Sequence, residues 1–551
     1  MMLNRNIIFH TLGIPQKDYI KKYVIPVLIF MFLFPVIVLL GAPDISGDTM
    51  LVVLWSPLIL LFLVILYPFI NIESKRKEID NSLHYYITHM GVLATTQMSR
   101  IEILHHLSKN EAYGYLATET ERIYALVTYW NLSFPVACSF IAKRTPSVLF
   151  SDFLDRLAHA IHAGAKFDEF VIAEQTVVMN DFVTMYKEAL HSTDVIKELF
   201  VSMSLSLIFL VSFSIIMPII TGLDTKLMVT GAIIMYLVVE IVILMYTRTK
   251  VPTDRIWHTL EIETKADQMI KWSMPVSLML CMIVSSILIL FSDLPVTILF
   301  ASSLTPLLIT GIIAQREENK IKRYDENFGA FIRSLGSMSG ARSGLILESL
   351  RVLVTHDFGP LSDNIKRLYK RLKLQIKTMK AWEHFAAGTG SNLIERFATM
   401  FVEGTNLGGK PDVIGNIISM NFMEILSMRK LRYSSAGGLV GILYGMTIGL
   451  AVTMFLSISI IAMLAKLFSS TKMPDMDIGL SINTVINTDV GLLTTMIMFM
   501  MVGHSFISAS LIRIIDGGHH FNTYVHLVGL VWVSALAAEV TMRGMIPLLG
   551  I

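Results

Sequence analysis

The chain has 551 residues, 54% of them hydrophobic and only 16% charged, with a mean hydropathy of +0.62 and a formal net charge of +2. Soluble domains carry about 25% charged residues. Several apolar runs here approach the roughly 20 residues that cross a bilayer core, so a soluble globular class is excluded and a polytopic membrane protein is expected. Of the two cysteines, Cys138 lies in a polar region and Cys281 in an apolar run, which excludes a disulfide framework.

Residues 1–71 form an N-terminal segment with two spans. Lys17, Lys21 and Lys22 precede the apolar run at 23–41, YVIPVLIFMFLFPVIVLLG. This run is longer than the apolar part of a signal peptide, and its small-residue exit, Gly41-Ala42, is followed by Pro43, so it reads as a retained anchor. A second run follows at 50–71. Residues 72–198 are polar, with apolar side chains at helical spacing, as in Leu83, Tyr86, Ile87 and Met90. Residues 199–314 supply four spans, at 199–222, 227–246, 273–291 and 294–314, with a polar loop at 247–272. A second polar block, 315–436, again has helical spacing, at Phe328, Phe331, Ile332 and Leu335. Residues 437–551 complete the chain with spans at 437–465, 490–512 and 524–541. The expected fold is all-α, with about nine transmembrane helices and two helical bundles.

Loop charges set an expected orientation. With a cytoplasmic N-terminus, the external loops 42–49, 223–226, 292–293 and 466–489 hold three cations against seven acids. The N-terminal segment and the 247–272 loop hold nine cations. This follows the positive-inside rule. Both polar blocks then face the cytoplasm and the C-terminus lies outside.

The blocks read as copies. Tyr-Gly-Tyr-Leu at 113–116 precedes Arg122-Ile123-Tyr124, and Phe-Gly-Pro-Leu at 358–361 precedes Arg367-Leu368-Tyr369, both at an offset of 245. FLDRLAHAIHAG at 153–164 is matched to LIERFATMFVEG at 393–404, with Asp155-Arg156 set against Glu395-Arg396. A duplicated helical domain feeding a membrane helix resembles the type II secretion system F-domain family, the inner-membrane platforms of type IV pilus-like machines. The length, the two domains and the span number resemble its archaellum (archaeal flagellum) branch, with an adhesion-pilus or secretion platform as the alternative. The resemblance implies a cell-membrane protein with no enzymatic activity and no cofactor. It implies that a hexameric secretion ATPase with its cytoplasmic motor proteins docks on the bundles. It also implies that pilin-like filament subunits assemble at the membrane helices, giving filament assembly, motility and, in the archaellum, rotation.

Particular residues add their own expectations. KRLYKRLKLQIKTMK at 366–380 holds Lys366, Arg367, Lys370, Arg371, Lys373, Lys377 and Lys380 and no acid. On one helix Lys366, Lys370, Lys373, Lys377 and Lys380 share a stripe, opposite Ile365, Leu368, Tyr369, Leu372, Ile376 and Met379. At offset 245 the stripe positions fall on Glu121, Ala125, Thr128, Leu132 and Pro135, and the blocks carry net charges of −4 and +7. Such a single-sign surface reads as a solvated face or as one that serves association, with an acidic protein or anionic lipid headgroups; stacking aromatics are few, so nucleic acid is not expected. Gly437, Gly441, Gly445 and Gly449 line one face of a span, for close packing within the chain or in a homodimer. Glu240 lies inside a span with no intramembrane Lys or Arg to pair with, so a neutral, hydrogen-bonded acid is expected, an ion pathway being the alternative.

Four further patterns carry little. GTNLGGKP at 404–411 imitates a phosphate-binding loop, but Pro411 stands where a magnesium-binding hydroxyl is required. Ser505 and His526 imitate elements of an intramembrane serine protease on consecutive spans. Asp155, His159 and His162 share a helix face without accompanying ligands, and His105-His106 and His519-His520 read as solvated or capping pairs, so no metal site is expected. Glu539 and Arg543 read as an i,i+4 ion pair.

Overall fold

A computed structural model of the chain describes residues 10–13, 15–41, 47–252, 254–341, 346–470 and 489–548. Its described residues are helical throughout, apart from turns and one isolated antiparallel bridge, Trp257–Ser391. In chain order the helices are α1 (Ile25–Gly41), α2 (Gly47–Ala94), α3 (Arg100–Ser108), α4 (Tyr115–Thr128), α5 (Phe134–Ala142), α6 (Val148–His162) and α7 (Phe167–Ile216). They continue with α8 (Thr225–Lys250), α9 (Lys265–Phe291), α10 (Val296–Leu304), α11 (Leu307–Ala341), α12 (Ile346–Leu353), α13 (Ser362–Lys373) and α14 (Thr378–Thr389). The last four are α15 (Asn392–Asn406), α16 (Pro411–Ser470), α17 (Val490–Asp516) and α18 (Thr523–Leu548).

Among the described residues, six helical stretches are long and apolar enough to cross a membrane: α7, α8, α9, Pro411–Lys466 of α16, α17 and His520–Gly544 around α18. The pair α10 and α11, bent by 45°, makes a seventh. The bend falls at Thr305-Pro306, where proline withholds a backbone N–H from the helix. These match the seven expected spans from 199–222 onward, and they make the chain a membrane protein. The expected spans at 23–41 and 50–71 run along α1 and the start of α2, but the side chains of 35–60 and all of 42–46 lie outside the described residues.

The chain packs as two compact units. The first comprises Met1–Thr184, Gly336–Gly344 and Met400–Asn421; the second comprises Met185–Leu335, Leu345–Thr399 and Phe422–Ile551. These do not follow the expected edges 72–198 and 315–436, because 336–344 and 400–421 pack with the first block. The reason is visible in side-chain contacts: Asn421 Nδ2 donates to Thr88 Oγ1 at 2.9 Å, and a Cβ on Gly404 would meet Val92 Cγ1 at 2.4 Å. The first unit closes on Leu83, Tyr86, Ile87 and Met90, all at most 2% exposed. The soluble part of the second closes on an aromatic cluster of Phe328, Phe331, Trp382, Phe385, Phe397 and Phe422. Its membrane part closes on Val211, Tyr236, Leu450, Met454, Met498 and Val528.

Two stretches of chain run through the same succession of elements. A long helix leads to a short helix, a 3-10 turn, three medium helices and a second long helix, as α2 to α7 and as α11 to α16. The special backbone positions recur too. Gly114 (φ 53°) and Gly359 (φ 58°) stand 245 residues apart; Asn131 (φ 52°) and Gln375 (φ 58°), and Gly164 (φ 88°) and Gly408 (φ 82°), stand 244 apart. Ser147 and Ser391 each accept the N–H three residues on and each donate to a carboxylate, Asp80 or Asp325, at 2.5 Å. This register corrects one sequence match. Pairing 153–164 with 393–404 uses an offset of 240, four residues or about one helical turn short. The Asp155-Arg156 and Glu395-Arg396 pairs are accordingly not counterparts: Arg156 binds Glu174 at 2.7 Å, whereas Glu395 accepts from Thr259 at 2.8 Å.

Candidate functional site

The seven cations of 366–380 do not lie on one helix. Helix α13 ends at Lys373, the chain turns through Gln375 in the left-handed region, and α14 begins at Thr378 after Lys377. Lys366, Arg367, Lys370, Arg371 and Lys373 therefore belong to α13, while Lys377 and Lys380 stand at the start of α14. Ile365 and Leu368 are fully buried as expected, but Ile376 is 39% exposed and Leu374 is 76% exposed at the turn. All the cations except half-buried Arg371 are exposed. Lys366 lies 3.8 Å from Asp363, and among the described residues no carboxylate comes within ion-pair range of the other six. Burial and the neighbouring Arg367 both push the Arg371 guanidinium below its usual range. The corresponding turn between α4 and α5 carries no such charge and exposes Tyr129 and Trp130 instead.

The inner side of this basic edge faces a cavity of about 380 Å³ lined by Arg367, Arg371, Lys320, Glu317, Asp267 and His384, among others. Its far wall is formed by residues between Trp257 and Asp267. The expected 247–272 loop is shortened, because α8 runs to Lys250 and α9 starts at Lys265, and this connection is tied down beside the start of α15. His258 N donates to Gly390 O, and Asn392 N donates to Ile256 O, both at 2.9 Å. Below them Arg429, 1% exposed, makes a two-pronged pair with Asp254 at 2.6 and 2.7 Å and reaches Asp325 at 3.3 Å. Sequence reasoning missed this anchor; the only available signal was an arginine on the polar approach to a span, with acids far away in sequence.

Inside the membrane part, Glu240 has a partner that a search for Lys and Arg passes over. His504 Nδ1 lies 2.7 Å from Glu240 Oε1, and both residues are fully buried. Ser204 Oγ donates to the same oxygen at 3.3 Å; Tyr236 Oη is 3.0 Å from His504 Nδ1, and Thr447 Oγ1 is 3.2 Å from its Nε2. The acid thus sits in a buried polar knot joining α7, α8, α16 and α17, in which its Oε2 has no hydrogen-bond partner among the described residues. The i,i+4 spacing of Tyr236 with Glu240 and of His504 with Ser508 was its sequence signature.

The glycine row also differs from its nearest expectation. A Cβ at Gly437, Gly441, Gly445 or Gly449 would meet nothing within 4 Å, so among the described residues this face stays open. Close helix approach occurs elsewhere: a Cβ on Gly311 would meet Val525 N at 2.9 Å, and one on Gly529 would meet Tyr444 Oη at 2.3 Å.

The remaining patterns are structural. Gly404 to Asn406 close α15 and Leu407 to Lys410 form the turn after it, with Gly409 N donating to Gly404 O at 2.9 Å, and α16 begins at Pro411. Ser505 Oγ is buried without a hydrogen-bond partner among the described residues, so no Ser505–His526 pair forms. His159 and His162 are exposed, and Asp155 is half-buried. His105 makes a tilted ring contact with Tyr124, and His106, partly exposed, also reaches Glu403 at 3.3 Å. Glu539 pairs with Arg543 at 3.1 Å and also accepts from Thr297 at 2.5 Å.

Residues 86–215, from α2 through α7, match the family model described as type II secretion system (T2SS), protein F. The chain is 38% identical over 550 residues to flagella accessory protein J of Methanocaldococcus jannaschii, covering 98% of this chain and 97% of that protein. It is 37% identical over 540 residues to flagella accessory protein J of Methanococcus voltae, covering 96% of each. An uncharacterized protein of M. jannaschii matches at 25% identity over 145 residues, 26% of this chain and 24% of that protein. No solved structure matches the chain. Identity at this level, sustained from end to end, means that the chain belongs to the flagella accessory protein J family, archaellum proteins with a type II secretion F domain.

Proposed function

We propose that the chain is the non-enzymatic membrane platform of an archaellum. It docks a hexameric secretion ATPase and its associated motor proteins on its cytoplasmic side and passes ATP-driven motion to pilin-like filament subunits. The observation that carries this reading is the basic edge of α13 and α14. Six exposed or half-exposed cations lack ion-pair partners among the described residues, and the equivalent turn after α4 has none of them. Charge of one sign, held on a rigid helical hairpin, is suited to steering an acidic protein surface into register. The parallel succession of α2–α7 and α11–α16 supports two F-like bundles. The loop charges support nine spans with the N-terminus and both bundles cytoplasmic. The open row Gly437, Gly441, Gly445 and Gly449 is suited to a homodimer seam along α16. Membrane lipids surround the remaining apolar faces, of which α9 is the least covered, with 6% of its apolar window buried.

The test uses the full chain in nanodiscs and the purified ATPase of the same machine. Reversing Lys370, Lys373 and Lys377 to Glu should weaken binding by on the order of tenfold or more, with the loss shrinking at high salt. Unchanged affinity at low salt would sink the docking role. Loss of attachment only in discs containing anionic lipid would assign the edge to headgroups instead.

A further inference from the structure

Three side chains of the first unit converge: His89 on α2, His106 on α3 and Glu403 on α15. Glu403 Oε2 lies 2.8 Å from His89 Nε2 and 3.3 Å from His106 Nε2, and the three donor atoms all lie within 4.8 Å of one another. His89 is 1% exposed. Its Nε2 faces the carboxylate off the line that a hydrogen bond requires, so this buried nitrogen has no hydrogen-bond partner among the described residues. Its other nitrogen, Nδ1, is 2.9 Å from Tyr113 Oη. His106 is 37% exposed, which opens one side of the cluster to water.

We propose that His89, His106 and Glu403 bind a divalent transition-metal ion of the zinc type. Two imidazoles and a carboxylate are a borderline nitrogen and oxygen donor set that suits Zn²⁺ or Co²⁺. Metal–ligand bonds of about 2.0–2.2 Å in a tetrahedron separate neighbouring ligand atoms by about 3.3 Å. The His106–Glu403 edge already has that spacing, and the His89–Glu403 edge needs to open by only about 0.5 Å. With its proton on Nδ1, His89 donates to Tyr113 and turns the Nε2 lone pair toward the ion, the arrangement by which metal-bound histidines are held. The solvent side at His106 leaves a fourth position for water. The ion fastens α15 to α2 and α3, which are joined to it by about 300 residues of chain, and so acts as a staple of the first unit rather than as a reaction centre.

The experiment uses the full chain in detergent, stripped with a chelator and dialysed against Zn²⁺ or Co²⁺, with the metal counted by mass spectrometry. The wild type should retain one ion per chain, give the visible absorption of low-coordinate Co²⁺, and melt at a higher temperature with Zn²⁺ than without. His106→Ala and Glu403→Gln should each lose the ion and the melting shift. His105→Ala, which changes the neighbouring ring on Tyr124, should keep both. His106→Ala alters a partly exposed ring and leaves the core intact, so its loss of metal reports the site and not unfolding. No retained ion in the wild type, or equal retention in both ligand variants, overturns the proposal.

Discussion

Replacing Arg429 by Ala tests the account of the second unit most directly. The guanidinium makes three hydrogen bonds to two carboxylates and a fourth, at 2.9 Å, to Arg255 O. Removing one partner of a buried ion pair costs about 3–5 kcal/mol, because a charge is left without compensation. Asp254 is 18% exposed and can take up water, but Asp325 is 2% exposed and, among the described residues, keeps only Ser391. The loss should therefore come mainly from Asp325. Because a chain with two units need not unfold in one step, the readout is local: trypsin cleavage after exposed Arg255, whose carbonyl Arg429 holds. If cleavage tracks local opening, the rate should rise on the order of 10²- to 10³-fold. Adding Asp325→Ala should return part of the protection, since it removes the orphaned charge. Wild-type cleavage in Arg429→Ala, or a double variant at least as fast as the two single effects combined, would refute the argument.

Four further outcomes follow from the same geometry. Ser147→Ala and Ser391→Ala should each destabilise their own unit by about 1–3 kcal/mol, since each loses a helix cap and a buried donor to a carboxylate; chemical unfolding followed separately in each unit checks this, and a harmless substitution would deny the shared cap. Gly311→Ala should lower the melting temperature by forcing α11 from the backbone of Val525, at about 1–3 kcal/mol. Gly441→Ala should leave the melting temperature unchanged or slightly raised while reducing cross-linked dimer, so a large melting loss would show that its face is not open. Burial pushes the Cys138 thiol up to about 12, so it should resist alkylation at pH 8, where an ordinary thiol is partly ionised; fast labelling in the folded chain would contradict the first unit's packing.

Helix spacing was legible because burial selects apolar residues at a fixed period, and Leu83 to Met90 and Phe328 to Leu335 are indeed interior. The break at Lys373 was not. Amphipathic spacing continues through the turn by accident of composition, and the turn depends on Gln375 taking a left-handed conformation that no residue type announces. The repeat was recognisable by its glycines, but its final register was misplaced, because a shift of four residues preserves helical faces and leaves the apolar pattern nearly unchanged.

By itself the sequence determined the membrane class, the position of seven spans, the presence of a charged edge in the second block and the family. Each depends on local composition, periodicity or end-to-end identity, which a linear reading can measure. Only the tertiary structure decided which distant polar groups meet: Glu240 with His504, Arg429 with Asp254 and Asp325, and Glu403 with His89 and His106. It also decided that the row from Gly437 to Gly449 stays open while Gly311 and Gly529 are packed against. Satisfying a buried polar group needs only one correctly placed partner, and the partner lies in another element tens to hundreds of residues away. No spacing rule along the chain records that choice, because the fold makes it when the helices dock.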